Sequence, residues 1–244
     1  MGHCTVARIV GEVCKVIWDC LVNEFMAVPK KDDWRAIADG FLQEWNFPNC
    51  VGSIDGKHVV VQAPSNSGSL YYNYKHTFSI VLLAVVDANL VFRMVDVGGY
   101  GRNSDGGTLS NSPFGQSLRD GTLDLAEDRV IPGAEDRGPM PYVLVADEAF
   151  PLRCNLMRPF PGTNLATGRR AFNYRFSRAR LIVECTLRGP SLKEGIKSVM
   201  GTTVCADGAL ISLRIYIKHF CFLINSLESS CLSVLSSNIM TLTP

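Results

Sequence analysis

From Val51 onward the hydrophobic period of the chain changes from that of helices to that of strands, and six patterned stretches then follow in an order that leaves few folds open. Residues 54–62, 77–87 and 90–97 are rich in β-branched and aromatic side chains and are separated by turn residues, which predicts three consecutive strands. The link Asp87-Ala88-Asn89 is short enough for a hairpin. A glycine-dense loop at 98–107 leads into a weakly helical stretch at 108–118, and no Gly-Lys-Ser/Thr follows the glycines, so this is no phosphate-binding P-loop. Residues 119–141 carry Asp, Gly and Pro throughout and predict an exposed loop. A fourth strand is expected at Tyr142-Val143-Leu144-Val145-Ala146, and a long helix at 169–188 with Phe172, Phe176, Ala179, Val183 and Leu187 along one side. The order is strand, strand, strand, helix, strand, long helix, an α/β pattern.

Three of these elements each carry one carboxylate. Asp55 lies at the start of the first strand, Asp147 closes the fourth, and Glu184 sits beside the apolar stripe of the last helix. Carboxylates converging from distant positions are a usual way to hold Mg²⁺, which prefers hard oxygen ligands and keeps several waters. Two such ions clamp the attacking and leaving oxygens of an in-line displacement at phosphorus. This placement points to phosphodiester chemistry on DNA with Mg²⁺ or Mn²⁺ as the cofactor.

Composition supplies limits rather than a direction. With 244 residues and 47% hydrophobic content, the chain buries one sizeable core in one or two domains. Lys and Arg number 24 against 23 Asp and Glu, so any case for nucleic acid must rest on local clusters. Nine cysteines, without a CxxC pair or a secretory signal, fit a reduced intracellular compartment, where they act as buried small hydrophobes. Asp87 and Asn89 interrupt one apolar run, and Arg214, Lys218 and His219 interrupt the other, so no membrane span is expected.

Ahead of the strands, Val6, Ile9, Val10, Val13, Ile17, Leu21 and Phe25 recur at helical spacing up to Pro29, and their stripe reads as core packing. A second helix is expected from Asp32 or Asp33 as N-cap, presenting Trp34, Ile37, Phe41 and Trp45 until Pro48. The resulting division is an N-terminal helical segment (1–48), a core (49–189) and a divergent C-terminal segment (190–244).

Several motifs occur in one order: Asn49-Cys50-Val51-Gly52-Ser53-Ile54-Asp55-Gly56-Lys57-His58, Tyr72-Asn73-Tyr74-Lys75, Ser104-Asp105-Gly106-Gly107, Ala146-Asp147-Glu148-Ala149-Phe150-Pro151-Leu152, and Phe172-Asn173-Tyr174-Arg175-Phe176-Ser177-Arg178-Ala179-Arg180 with Val183-Glu184. Together they resemble the PIF/Harbinger transposase-derived nucleases, DDE superfamily endonucleases, from about Thr5 to Glu184. The spacing 184 − 147 = 37 is typical of such enzymes. The resemblance implies a ribonuclease-H-like DDE nuclease core with Asp55, Asp147 and Glu184 as catalytic metal ligands. Asp105, in its Ser-Asp signature, is a further ligand or a neighbour of the ligands; sequence leaves Asp105 and Asp147 open as the second principal ligand, and topology favours Asp147. It also implies DNA as substrate, a separate Myb-like DNA-binding partner, and the nucleus as compartment, with the cytoplasm second. It assigns no oligomeric state.

Two departures from the family pattern bear on activity. The chain begins near the middle of the usual N-terminal helical region, so an upstream helix-turn-helix is not expected within it. After Glu184 the sequence reads Cys185-Thr186-Leu187-Arg188-Gly189-Pro190 where the family continues its helix, so fraying after Glu184 and an altered C-terminus are expected. This opens a second reading, a domesticated remnant that has lost cleavage and serves as a DNA- or chromatin-associated interaction protein. A phosphohydrolase of small substrates is disfavoured by the arginine cluster and the missing phosphate cradle.

Individual side chains have ordinary explanations as well. Lys57 is placed to contact phosphate, whereas strand alternation puts His58 on the face away from Asp55. Arg169, Arg170, Arg175, Arg178 and Arg180 form the clearest basic cluster, either a DNA-binding face or solvated helix surface. Tyr71, Tyr72 and Tyr74 could stack on bases, or simply cover a strand edge.

Overall fold

In a computed structural model, the described part of the chain comprises residues 3–189 with Leu192, Ile217, Lys218, Cys221, Ile224 and Asn225. Two compact units form, Met1–Ala27 with Pro190–Pro244 and Val28–Gly189. In the first, helix α1 (His3–Phe25) matches the predicted periodicity and carries exposed i,i+4 pairs, Arg8–Glu12 and Lys15–Asp19, each at 2.9 Å. Along its stripe, Ile9 and Val13 are 40% and 50% exposed, so these two do not pack into a core as expected. Within this unit the Asn225 amide donates to the Phe25 carbonyl at 3.0 Å, and the Lys218 ammonium lies 5.1 Å from the Trp18 ring. The expectation of a divergent, poorly packed segment at 190–244 otherwise falls outside the described residues.

The second unit begins with helix α2 (Lys31–Trp45). Lys30, not Asp32 or Asp33, is its N-cap; the Asp33 carboxylate accepts from the Lys30 N–H at 2.9 Å, which places both aspartates in the first turn, where negative charge suits the helix dipole. Asn46 closes the helix in the left-handed region at φ 51°. Trp34, Ile37 and Phe41 are buried as the pattern predicts, and the Trp45 indole donates to the Ala88 carbonyl at 3.1 Å. That packing joins α2 to the core unit, so the compact unit starts at Val28 rather than at residue 49.

Strands β1 (Cys50–Val60), β2 (Ser79–Val86) and β3 (Phe92–Tyr100) follow as an antiparallel meander. Every residue of β2 is buried, which explains why its sequence is a continuous apolar run rather than an alternation. The β2–β3 hairpin is fixed by buried Asp87, whose carboxylate accepts from the Asn89 and Val91 N–H groups and from Arg93. The helix predicted at 108–118 is two: α3 (Asp105–Asn111) and α4 (Pro113–Asp120). Ser112 separates them, ending the first and capping the second by accepting from the Gly115 N–H at 3.0 Å, with Pro113 as first helical residue. The expected exposed loop carries a small pair, β4 (Arg129–Val130) and β5 (Pro139–Met140).

Strand β6 (Val143–Val145) pairs parallel to β1, and β7 (Leu156–Met157) parallel to β6. Helix α5 (Thr167–Arg188) ends the unit. The sheet order β3-β2-β1-β6-β7, a meander extended by parallel strands, is the ribonuclease-H-like core that the order of elements predicts. A two-residue strand such as β7 is too short to leave a periodic signal, and sequence reading missed it. Cys14, Cys50 and Cys221 are buried small hydrophobes as expected, whereas Cys20, Cys154 and Cys185 are exposed.

Candidate active site

The site begins with the alternation of β1. Ser53, Asp55 and Lys57 share one face of the strand, and both outer members of this trio reach α5: Ser53 Oγ donates to the Arg180 carbonyl at 3.1 Å, and Lys57 Nζ to the Leu187 carbonyl. Helix and strand therefore run side by side in the same direction. Arg180 to Leu187 advances about 10 Å along a helix, and Ser53 to Lys57 about 13 Å along a strand. Glu184, midway on one, is level with Asp55, midway on the other.

Pairing with β6 brings the second acid. The parallel register places Ser53 against Val145, and two residues further the chain reaches Asp55 on one strand and Asp147 just beyond the other. Asp147 Oδ1 accepts from the Ala149 N–H at 2.9 Å, an Asx turn that stops the strand and fixes the carboxylate. Asp105, the first residue of α3, arrives from above Gly56. A Cβ on Gly56 would stand 1.9 Å from Asp105 Oδ1, so only glycine lets that carboxylate lie against β1 there, on the face opposite the Asp55 side chain. Gly106 does the same for the loop after Asp147, since a Cβ there would meet the Ala149 carbonyl at 2.7 Å.

The three carboxylates are near enough for the charge of Asp147 to act on both Asp55 and Asp105. Burial pushes Asp55 up to about 6; a hydrogen bond from the Gly56 N–H opposes this, the charges of Asp147 and Asp105 add to it, and Arg180 draws it back down. Burial likewise raises Asp105 to about 6, reinforced by Asp147 and opposed by Lys75. Asp105 Oδ1 is buried without a hydrogen-bond partner. Such an oxygen is costly unless something supplies it with positive charge. The donor set is all hard oxygen, which fits Mg²⁺ or Mn²⁺. Among the described residues no group of three or more His, Cys, Asp or Glu side chains stands close enough to hold a metal ion as it is. Mg²⁺ does not need such a group, being commonly held by one or two carboxylates with water filling the remainder.

Glu184, the helix-borne acid, is differently engaged. Its carboxylate pairs with Arg180 on the preceding turn and, at 3.5 Å, with Arg188 on the next. Arg180, expected at DNA, is thus turned toward the acids rather than outward. Lys57, expected at a phosphate, instead spends its ammonium on the last turn of α5, which stays helical to Arg188 and does not fray after Glu184. Arg170, Arg175 and Arg178 are exposed along α5, and the Arg169 guanidinium stacks 5.0 Å over the Phe160 ring. His58 faces away from Asp55 and bonds Ser79 Oγ at 2.8 Å, as alternation predicts. Tyr71 is buried against Tyr100, and Tyr74, 74% exposed, lies edge-on to His58. An apolar cleft of about 840 Å³ lined by Phe47, Val143, Met157 and Phe172 lies toward the opposite end of β6 from Asp147 and adds no ligand to the acids.

Sequence reading had no signal for the roles of Gly56 and Arg180. A glycine after a strand-end aspartate looks like turn chemistry, and an arginine four residues before a glutamate looks like an ordinary helix pair.

The family model of the DDE superfamily endonucleases matches residues 54–189, from β1 to the end of α5, a span that includes Asp55, Asp105, Asp147 and Glu184. The chain belongs to this family. It is also similar to the protein ALP1-like of Arabidopsis thaliana, 27% identical over 189 residues, which cover 77% of this chain and 45% of that protein. The chain therefore spans less than half the length of that relative. No solved structure matches it. Motif order and both matches agree on a transposase-derived nuclease family.

Proposed function

We propose that the chain is a metal-dependent DNA endonuclease of the Harbinger transposase-derived type, hydrolysing phosphodiester bonds with two divalent cations, Mg²⁺ or Mn²⁺. The observation that carries this reading is the nearness of Asp55, Asp105 and Asp147, whose charges act on one another, with one Asp105 oxygen buried and unpartnered. Asp55 and Asp147 are the principal ligands, Asp105 adds a third carboxylate, and Glu184 completes the set from α5. Bound there, the cations would supply Lewis-acid activation of water and then of a 3′-hydroxyl, and neutralise charge at phosphorus. The chain's own residues do the rest. Backbone N–H groups of Gly56 and Ala149 fix one oxygen each of Asp55 and Asp147, leaving the other for a cation. Exposed Arg170, Arg175 and Arg178 hold the DNA backbone through phosphates, which positions the duplex without reading its sequence. Sequence recognition then falls to a Myb-like partner, and the compartment of action is the nucleus. Nicking of a supercoiled plasmid with Mg²⁺ or Mn²⁺, run beside Asp55→Asn, tests the reading; equal nicking by the two proteins sinks it.

One observation favours the second reading. Glu184 is held by two arginines, and a helix-borne acid permanently held this way would leave a DNA-binding remnant without cleavage. Salt-dependent DNA binding with no nicking under either metal would select it.

A further inference from the structure

We propose that Arg180 is a positioning residue that withholds Glu184 from the cation site in the DNA-free protein and yields it when its guanidinium turns to a DNA phosphate. The inference rests on the reading of Asp55, Asp105 and Asp147 as cation ligands.

Glu184 is level with Asp55 along the β1–α5 seam, and its carboxylate is occupied by side chains of its own helix. Of its two arginines, Arg188 is 77% exposed and contributes little, whereas Arg180 is only 25% exposed and Glu184 16%. Arg180 also acts on Asp55, drawing that carboxyl down against its burial. In the metal-free protein a single guanidinium thus serves both the strand-borne and the helix-borne acids as a counter-ion. A divalent cation opposes this pairing, since it attracts Glu184 and repels Arg180, but the guanidinium keeps the acid until another anion takes it. The displaced guanidinium needs an anion, and its planar fork suits phosphate oxygens. Arg178 and Arg175, exposed on the same helix, would already hold a backbone nearby. DNA and cation then reinforce each other, and the coupling is reciprocal, because each favours the state in which Arg180 has left Glu184.

The helix does not depend on this side chain for its seat, since Ser53 bonds the carbonyl of Arg180 rather than its guanidinium. Arg180→Gln should therefore keep its fold, which a thermal melt checks. Mn²⁺ titrations of the full chain without DNA, followed by electron paramagnetic resonance, test the proposal as a double-mutant cycle. Arg180→Gln should tighten Mn²⁺ about fivefold or more, Glu184→Gln alone should change little, and the double variant should lose the gain. If the gain persists with Glu184→Gln, Arg180 acts only through its charge on Asp55 and the proposal is overturned. It is equally overturned if Glu184→Gln alone weakens Mn²⁺ strongly, because Glu184 would then already be a ligand. Wild-type protein that binds no more Mn²⁺ than Asp55→Asn removes the ligand reading itself, and this inference with it.

Discussion

The carboxylates carried by the sheet and the one carried by α5 differ in what holds them. Asp55 and Asp147 are fixed by N–H groups of neighbouring residues, and Asp105 by the absence of a side chain at Gly56, so each is placed by backbone. Glu184 is placed by two other side chains, which are free to change rotamer. Burial, with mutual repulsion added to it, raises two of the backbone-held acids to about 6. A side-chain-held acid avoids that repulsion by pairing elsewhere. The rigid half of the site is built to wait for a cation, and the mobile half to answer one.

The largest expected effect comes from the rigid half. Asp55→Asn and Asp147→Asn each remove a ligand charge, and with it several kcal/mol of cation-dependent stabilisation at phosphorus. Nicking should fall by ~10³-fold or more. Binding of the DNA should hold or strengthen, because a negative charge facing phosphate is gone. Parent-rate nicking by either variant, measured on supercoiled plasmid, removes that residue from the ligand set.

Next in size is the helix surface. Replacing Arg170, Arg175 and Arg178 by Ala should weaken DNA binding about ten- to a hundredfold at low salt and flatten the slope of log K against log salt by roughly one per lost phosphate contact. Fluorescence anisotropy with a labelled duplex at several salt concentrations measures both. An unchanged slope assigns the three arginines to plain surface.

Much of this arrangement was legible before any coordinates, because periodicity reports burial. The alternation of β1 placed Asp55 and His58 on opposite faces, and the β-branched run at 77–87 marked a strand. The adjacency of Asp55 and Asp147 followed from strand order. Illegible were the features set by contacts between distant segments. Nothing local in Lys57 distinguishes an ammonium bound for phosphate from one bound for the end of α5, and Arg180 has the spacing of a routine surface pair. Asp105 could be recognised only as part of a motif, since its place against β1 depends on a missing Cβ at Gly56.

Two glycines separate site geometry from fold stability. Gly56→Ala would drive a Cβ into Asp105 Oδ1, the far end of a side chain that rotates away, so the cost should fall mainly on Mn²⁺ affinity, with a stability loss of about 1 kcal/mol. Gly52→Ala drives its Cβ to 2.6 Å from Val85 Cγ1 and 3.0 Å from Leu144 Cδ2 inside the core, and should cost about 1–3 kcal/mol with no separate effect on metal. Urea melts and Mn²⁺ titrations on both variants give the contrast. Equal Mn²⁺ losses in the two would mean that Asp105 contributes nothing beyond general packing.

The smallest effect is one of pH, and it has opposite signs with and without metal. Asp55 and Asp105 titrate near 6 in the fold, above their usual value of 3.8, so the folded state binds protons more readily than the unfolded chain. Their contribution to stability is complete below 3.8 and is lost as pH rises through about 6. Metal-free protein in EDTA should therefore melt a few degrees lower at pH 7.5 than at pH 5.5, and Asp55→Asn or Asp105→Asn should each shrink that difference. Cation binding needs the ionised carboxylates, so Mn²⁺ affinity should instead rise over the same interval. Added Mn²⁺ then reverses the trend, raising the melting temperature most at pH 7.5. A metal-free melting temperature that climbs from pH 5.5 to 7.5, unchanged in Asp55→Asn, would mean that neither burial nor neighbouring charge holds these acids above their usual range, and the contrast with Glu184 would lose its physical basis.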